Sequence, residues 1–197
     1  MDQPSFSLNQ APELTSLPSV PLTHVPIATL DRCPQLDPTL RTHLYSIKNL
    51  TSLLNKLNNI DNILQTKLNP NDYSDIICLR LHRLLDYAPL LRNPRELSPI
   101  DDLVHLSLVV MTTLMPEYGH NQARYDLLAT RMRDALRRYT AAAVRNKELF
   151  LWAVFVGYAT VLPESGRDWL ALCIREVCER LDLNAWADVR EILCQYA

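Results

Sequence analysis

The sequence predicts an all-α protein, a single helical domain of about seven helices behind a disordered N-terminal leader. Apolar residues recur at steps of three or four along most of the chain, which is the spacing of one face of an α-helix. No segment alternates apolar and polar residues over the length of a strand, and only 3 glycines are available for hairpin turns. With 197 residues, nearly half of them apolar, the chain is long enough to bury one sizeable core.

Residues 1–36 are predicted to form a disordered, proline-rich leader. Seven of the 13 prolines lie in the first 38 residues, charges are sparse there, and the apolar residues keep no steady period. Proline blocks helix formation and pushes the residue before it toward extended backbone. A short piece such as Ile27–Leu30 could still dock on the domain. The helical domain is expected over residues 37–197.

Helix boundaries are predicted from capping residues and from the apolar period. Asp37-Pro38 places a capping side chain ahead of a first-turn proline, and the apolar stripe that follows runs for about six turns from Leu40 to Ile60. Asn58-Asn59 could break or kink this helix, which could then continue through Leu68. Ser98, with Asp101 three residues later, indicates a capping box at the third helix, and Asn184 is the predicted cap of the seventh. The five helices between the first and the last are predicted near residues 73–88, 98–116, 123–143, 148–161 and 167–181.

Two predicted helices, 103–115 and 148–161, are apolar on all sides and should lie at the centre of the bundle. Gly157 would cost its helix about 1 kcal/mol relative to Ala at an exposed site, and a close approach between helices would explain it. In the last helix Trp186, Val189, Leu193 and Tyr196 form the expected inner stripe.

Several classes of function are disfavoured by composition. The net charge of −2 gives no overall drive toward nucleic acid or an anionic membrane. Within the predicted helical domain the longest uncharged run, between Glu148 and Glu164, has 15 residues, whereas a membrane span needs about 20. The five cysteines include no C-x-x-C pair, which favours reduced thiols in a nuclear or cytoplasmic protein. Cys78 and His82 have the spacing of metal ligands, but no third ligand accompanies them, so we expect a buried thiol beside a partly exposed imidazole.

No catalytic, cofactor-binding or metal-binding residue is predicted, but two groups of residues are candidate sites. One group is aromatic and could line a pocket between helices or simply fill the core: Trp152, Phe155, Tyr158, Trp169 and Trp186. The other consists of Arg124, Arg131 and Arg138, which are seven residues apart and share a helix face. These arginines could bind an anion or nucleic acid, or they could be a solvated face balanced by the acid-rich stretch 164–191. His105 follows Asp101 by four residues, so we expect these two side chains to make an ordinary contact within one helix and not a catalytic pair.

The order of the C-terminal helices resembles the C-terminal regulatory domain of fungal zinc-cluster transcription factors. The resemblance covers about residues 97–197 and is carried by Leu151-Trp152, Phe155-Val156-Gly157, Arg167, Trp169, Leu181, Leu183, Trp186, Val189, Arg190 and Leu193. The six-cysteine zinc cluster with which that family binds DNA has no counterpart in this sequence. The resemblance therefore implies a non-enzymatic regulator of transcription that acts through protein partners, self-association or a small-molecule effector, without direct sequence-specific DNA binding.

Two other functions remain open. The chain could be a structural, assembly or effector-type helical protein. Less favoured is an enzyme with a pocket between helices, for instance one that acts on an isoprenoid-like substrate. Such enzymes usually need acid-rich metal-binding motifs, and the paired acids Asp101-Asp102, at a helix start, are already explained by capping.

Overall fold

The computed structural model describes residues 35–59, 70–91, 96–114, 125–141, 146–162 and 167–196, and these residues form seven α-helices and no strand. The helices are α1 (Pro38–Asn59), α2 (Pro70–Tyr87), α3 (Pro99–Leu114), α4 (Asp126–Ala141), α5 (Lys147–Ala159), α6 (Arg167–Arg180) and α7 (Trp186–Tyr196). The all-α prediction is confirmed. Residues 1–34 of the predicted leader lie outside the described residues.

The entry of the chain into α1 is anchored at the start of α3. The Asp37 side chain accepts a hydrogen bond from the Thr39 backbone N–H at 2.8 Å, as the predicted cap requires. The Asp37 backbone N–H donates to the Asp101 carboxylate at 2.9 Å. Leu36, which the sequence assigned to the leader, is only 2% exposed and belongs to the core, because this anchor holds it against the bundle.

Helix α3 is the centre of the bundle, and it packs against α1, α2, α4 and α5. Every residue from Asp101 to Val110 is buried. The predicted Ser98 cap is present: the Asp101 backbone N–H donates to Ser98 Oγ at 3.2 Å. The Asp101 carboxylate accepts from the Ser98 hydroxyl at 2.6 Å, whereas in a regular capping box it would accept from the Ser98 backbone N–H. Inside the helix, the buried hydroxyl of Ser107 donates to the Leu103 carbonyl, so this polar group is satisfied without disturbing the core.

Helix α5 is the second buried helix and packs against α3, α4, α6 and α7. Asn146 caps it, accepting a hydrogen bond from the Leu149 backbone N–H at 3.0 Å. A Cβ atom on Gly157 would lie 3.1 Å from Leu162 Cδ1 and 3.4 Å from Met132 Cε. Because Met132 belongs to α4, the close helix approach expected at this glycine is confirmed.

For α7 the expected cap is wrong, and the expected inner stripe is confirmed except at Trp186. The Asn184 amide donates to the Asp182 carbonyl at 3.3 Å instead of capping α7, and the Asp188 carboxylate accepts from the Ala185 backbone N–H at 3.1 Å. The acid inside the first turn thus takes the role expected of Asn184. Of the predicted inner stripe, Val189 and Tyr196 are buried and Leu193 is half-buried against the core, whereas Trp186, the first residue of the helix, is 62% exposed. Ile192 is also buried.

Candidate functional site: a charged groove and an aromatic surface

A polar groove of about 820 Å³ lies between the start of α3 and the outer face of α4. We call it the arginine groove, and its lining residues are Glu96, Leu97, Asp102, Arg131, Asp134, Arg137 and Arg138. The lining contains three guanidinium groups and three carboxylates, so the position of each charge decides what the groove can bind.

Asp102 is at the centre of these charges. Its side chain is only 9% exposed; Arg138 Nη2 hydrogen-bonds Asp102 Oδ2, and Arg131 Nη2 lies 3.7 Å from Asp102 Oδ1. The two arginines share one helix face, as their spacing predicted, while Arg124 lies outside the described residues. Their balancing acid comes from α3 and not, as the sequence analysis expected, from the stretch 164–191. Asp101 accepts a hydrogen bond from the capping residue Ser98, but Asp102 pairs with arginines of α4, so the cap of α3 explains only one of the paired acids.

Other hydrogen bonds fix the two arginines in place. Arg131 Nη1 donates to the Leu90 carbonyl at 3.3 Å, which ties α4 to the segment after α2. Arg138 Nε donates to the Asp134 carbonyl at 3.4 Å. Arg137 lies over the ring of Trp169, with its guanidinium carbon 5.7 Å from the ring centroid, a cation–π arrangement. The groove is therefore bounded by positioned side chains.

His105 lies one turn after Asp102 and is buried. Its Nε2 donates to the Leu84 carbonyl at 2.9 Å, so the expected contact with Asp101 is wrong. The Leu84 carbonyl, at the C-terminal end of α2, also accepts a hydrogen bond from the Ala88 backbone N–H at 3.2 Å, so it accepts two hydrogen bonds. Burial lowers the pKa of His105, outweighing the opposing effects of this hydrogen bond and of nearby Asp102. A neutral imidazole suits a core position.

The five aromatic residues of the predicted pocket are divided among three places. Trp152 is 1% exposed and packs against Tyr196 in the core, with 6.0 Å between ring centroids. Trp169 is half-buried beside the groove, under Arg137. Tyr158 is half-buried and packs on the core. Phe155 is half-buried and stacks against exposed Trp186, with 5.8 Å between centroids. We call this last pair the aromatic surface.

No protein-family model matches this chain, and neither does any curated protein or solved structure. The resemblance to the fungal regulatory domain therefore depends on the sequence positions given above. Of these, Trp152 and Val189 are buried and report packing, whereas Trp186 is exposed. An exposed tryptophan is a feature that packing does not explain.

The remaining candidates from the sequence are separate from both places. Cys78 is exposed, so the expectation of a buried thiol is wrong, and His82 Nδ1 pairs with Asp86 Oδ2 at 3.0 Å. Within the described ranges, no three His, Cys, Asp or Glu residues are grouped as metal ligands. Among the helices that the structure describes, none is both long and apolar enough to cross a membrane.

Of the seven residues that line the arginine groove, sequence reasoning named only Arg131 and Arg138 as a candidate site, and two of the residues it missed are informative. Arg137 follows Arg131 by six residues and lies off the seven-residue spacing, so only the fold shows that it reaches the same groove. Asp102 did leave a signal, because it is a second acid at the start of an otherwise apolar helix that needs one acid for its cap. A charge that capping does not use, on a helix expected at the centre, must find a partner on a neighbouring helix.

Proposed function

We propose that this chain is a helical protein-interaction module that regulates transcription through a partner and not through its own sequence-specific contacts with DNA. The observation that carries the interaction part is the aromatic surface, in which Trp186 is 62% exposed although it stacks on Phe155. Tryptophan is among the residues that contribute most to protein interfaces, because a large rigid ring loses much water-exposed area for little conformational entropy. The proposal includes no catalysis and no cofactor.

The charges near Trp186 favour a basic partner. From Asp182 to Glu191 the chain carries three acids and one base, Arg190, and all four of these side chains are exposed. Complementary charges steer association and disfavour unsuitable partners. We therefore expect the partner to present an apolar side chain flanked by lysine or arginine. The transcriptional part is supported by the resemblance of residues 97–197 to the fungal regulatory domain.

A tethering experiment tests both parts. The full chain is fused to an unrelated DNA-binding domain, and transcription of a reporter with the matching site is measured. We expect the fusion to change reporter output relative to the DNA-binding domain alone. Trp186→Ala should abolish that change, while Leu172→Ala, which removes a side chain that is 61% exposed on α6, should keep it.

Two results would count against the proposal. A wild-type fusion that leaves the reporter unchanged would contradict the transcriptional part. Trp186→Ala behaving like Leu172→Ala would show that the aromatic surface is not the contact. Capture of partners from nuclear extract with the same three proteins gives an independent readout, and we expect a partner that binds wild type and Leu172→Ala but not Trp186→Ala.

A further inference from the structure

We propose that the arginine groove binds a small ligand that carries a phosphate or carboxylate group, held by Arg137 and Arg138 beside Asp102. The groove and the aromatic surface have no residue in common. This inference is therefore independent of the proposed function, and the two can fail separately.

The distribution of charge within the groove favours an anion. Its inner part contains one carboxylate, Asp102, between two guanidinium groups, which leaves a single positive charge in excess. Asp102 and Arg131 have side chains only 9% and 29% exposed, so these charges interact through a medium of lower dielectric than water. The other two acids, Glu96 and Asp134, are exposed at the rim of the groove together with Arg137, so the least exposed charges of the groove are those of Asp102 and Arg131.

Hydrogen-bond donors remain for a ligand. A guanidinium group has five N–H donors in a planar fork, a geometry that matches carboxylate and phosphate oxygens. The described contacts of Arg138 use Nε and Nη2, which leaves the Nη1 donors. Arg137 lies over the Trp169 ring, with its guanidinium carbon 5.7 Å from the ring centroid, and none of its N–H groups donates a hydrogen bond to another described residue.

The size and rim of the groove favour a small ligand over nucleic acid. A volume of about 820 Å³ is within the range of small-molecule sites. Leu97 supplies an apolar contact for the uncharged part of such a ligand. Glu96 and Asp134 on the rim would repel the repeated charges of a nucleic-acid backbone, whereas one anionic group can pass between them to the arginines.

Thermal unfolding of the full chain tests the proposal with three probes: inorganic phosphate, pyrophosphate and succinate. Each is titrated in Tris buffer at constant ionic strength, with sodium chloride as the reference anion. We expect a saturable rise in Tm of about 2–4 °C with at least one probe, because a ligand that binds only the folded state stabilises it. A response to the phosphates alone assigns a phosphate group to the ligand, and a response to succinate alone assigns a carboxylate.

Arginine variants test whether the response comes from the groove. Arg137→Gln should weaken the apparent affinity about tenfold or more, the loss expected for one charge-assisted bidentate contact. Arg138→Gln should abolish the response, and Arg175→Gln, which changes an exposed arginine on α6, should keep it. If Arg138→Gln does not fold, Arg137→Gln decides the question, because Arg137 makes no ion pair with Asp102 in the structure.

Three results would overturn the proposal. One is an equal rise in Tm with sodium chloride at the same ionic strength. Another is an unchanged response of Arg137→Gln. The third is an oligonucleotide that binds more tightly than pyrophosphate and loses that affinity in Arg137→Gln, which would make the groove a nucleic-acid surface.

Discussion

Trp152 and Trp186 carry the same side chain in opposite surroundings. Trp152 lies within α5, whose neighbours on all sides are other helices, and its indole Nε1 has no hydrogen-bond partner among the described residues. Trp186 begins α7 and covers only the edge of α5 at Phe155. Removing the first ring should leave a cavity, while removing the second should expose a half-buried neighbour.

We expect Trp152→Ala to lower the free energy of unfolding by about 3–5 kcal/mol, because the site is enclosed and cannot collapse. Trp186→Ala should lower it by less than about 1 kcal/mol, as is usual for exposed positions. Urea denaturation followed by circular dichroism measures both changes. Equal losses in the two variants would contradict the burial described for these rings.

The cysteines should differ in reactivity. Burial raises the pKa of the Cys173 thiol, with a smaller contribution from Glu176, and burial also raises the pKa of Cys178. Cys78 and Cys194 are exposed. Since the thiolate is the nucleophile, iodoacetamide at neutral pH should label Cys78 and Cys194 before Cys173 and Cys178. Peptide mapping by mass spectrometry follows each site, and faster labelling of Cys173 than of Cys78 would contradict the placement of α6.

At the scale of the helices, the sequence predicted most of what depends on one segment alone. Helices α3 and α5 were recognisable as central because they are apolar on every side. The Ser98 cap was recognisable because its acceptor and donor lie within one turn. The cap of α7 was wrong because two polar residues compete there, and the sequence does not show that Asp188 and not Asn184 faces the Ala185 backbone N–H.

Contacts between helices could not be predicted in the same way. The seven-residue spacing of Arg131 and Arg138 was enough to place them on one face. Their partner, Asp102, is some 30 residues earlier on a different helix, and no local pattern connects the two segments. The five aromatic residues share a residue type, but the sequence does not show which way each of their helices faces. In the structure those orientations place the aromatic side chains apart.

The link between α6 and α7 offers a test at this scale. Asp182 has a positive φ of 56°, and the backbone N–H groups of Asp182 and Leu183 donate to the carbonyls of Glu179 and Cys178. This is a Schellman motif, whose left-handed position favours glycine. Asp182→Gly should therefore raise the free energy of unfolding by about 0.5–1 kcal/mol, and Asp182→Val should lower it.

Thermal or urea denaturation of the two Asp182 variants checks this prediction, with Asp168, an exposed aspartate at the start of α6, changed to Gly as the control. Asp168→Gly should destabilise the protein, because there glycine adds backbone freedom to a right-handed turn. Destabilisation by Asp182→Gly would show that the turn does not adopt the described conformation.

For the molecule as a whole, stability should depend on pH through His105. Burial lowers its pKa in the folded state, so the unfolded chain binds a proton at a higher pH than the folded one. The free energy of unfolding should therefore decrease as the pH falls below about 6.5, the ordinary pKa of histidine. His43, whose pKa is lowered by burial and by Arg80 and Arg83, acts in the same direction.

Urea denaturation at pH 7.5 and pH 5.5 measures this dependence. His105→Gln keeps an amide that can donate to the Leu84 carbonyl and should lose less stability between the two pH values than wild type. His82→Gln changes an exposed imidazole on α2 and should behave like wild type. A pH dependence unaltered by His105→Gln would contradict the buried, neutral state of this side chain.

The arrangement of the helices around α3 and α5 predicts which backbone amide protons exchange with solvent slowly and which exchange faster. Helix α3 is enclosed by four neighbours, and α5 connects it to α6 and α7, each of which packs chiefly on α5. Amide protons of α3 should exchange with deuterium only when the whole domain unfolds, while those of α6 and α7 can exchange through openings that leave α3 intact. Helices α6 and α7, of which α7 carries Trp186, could then change conformation when a partner binds while the rest of the domain stays folded.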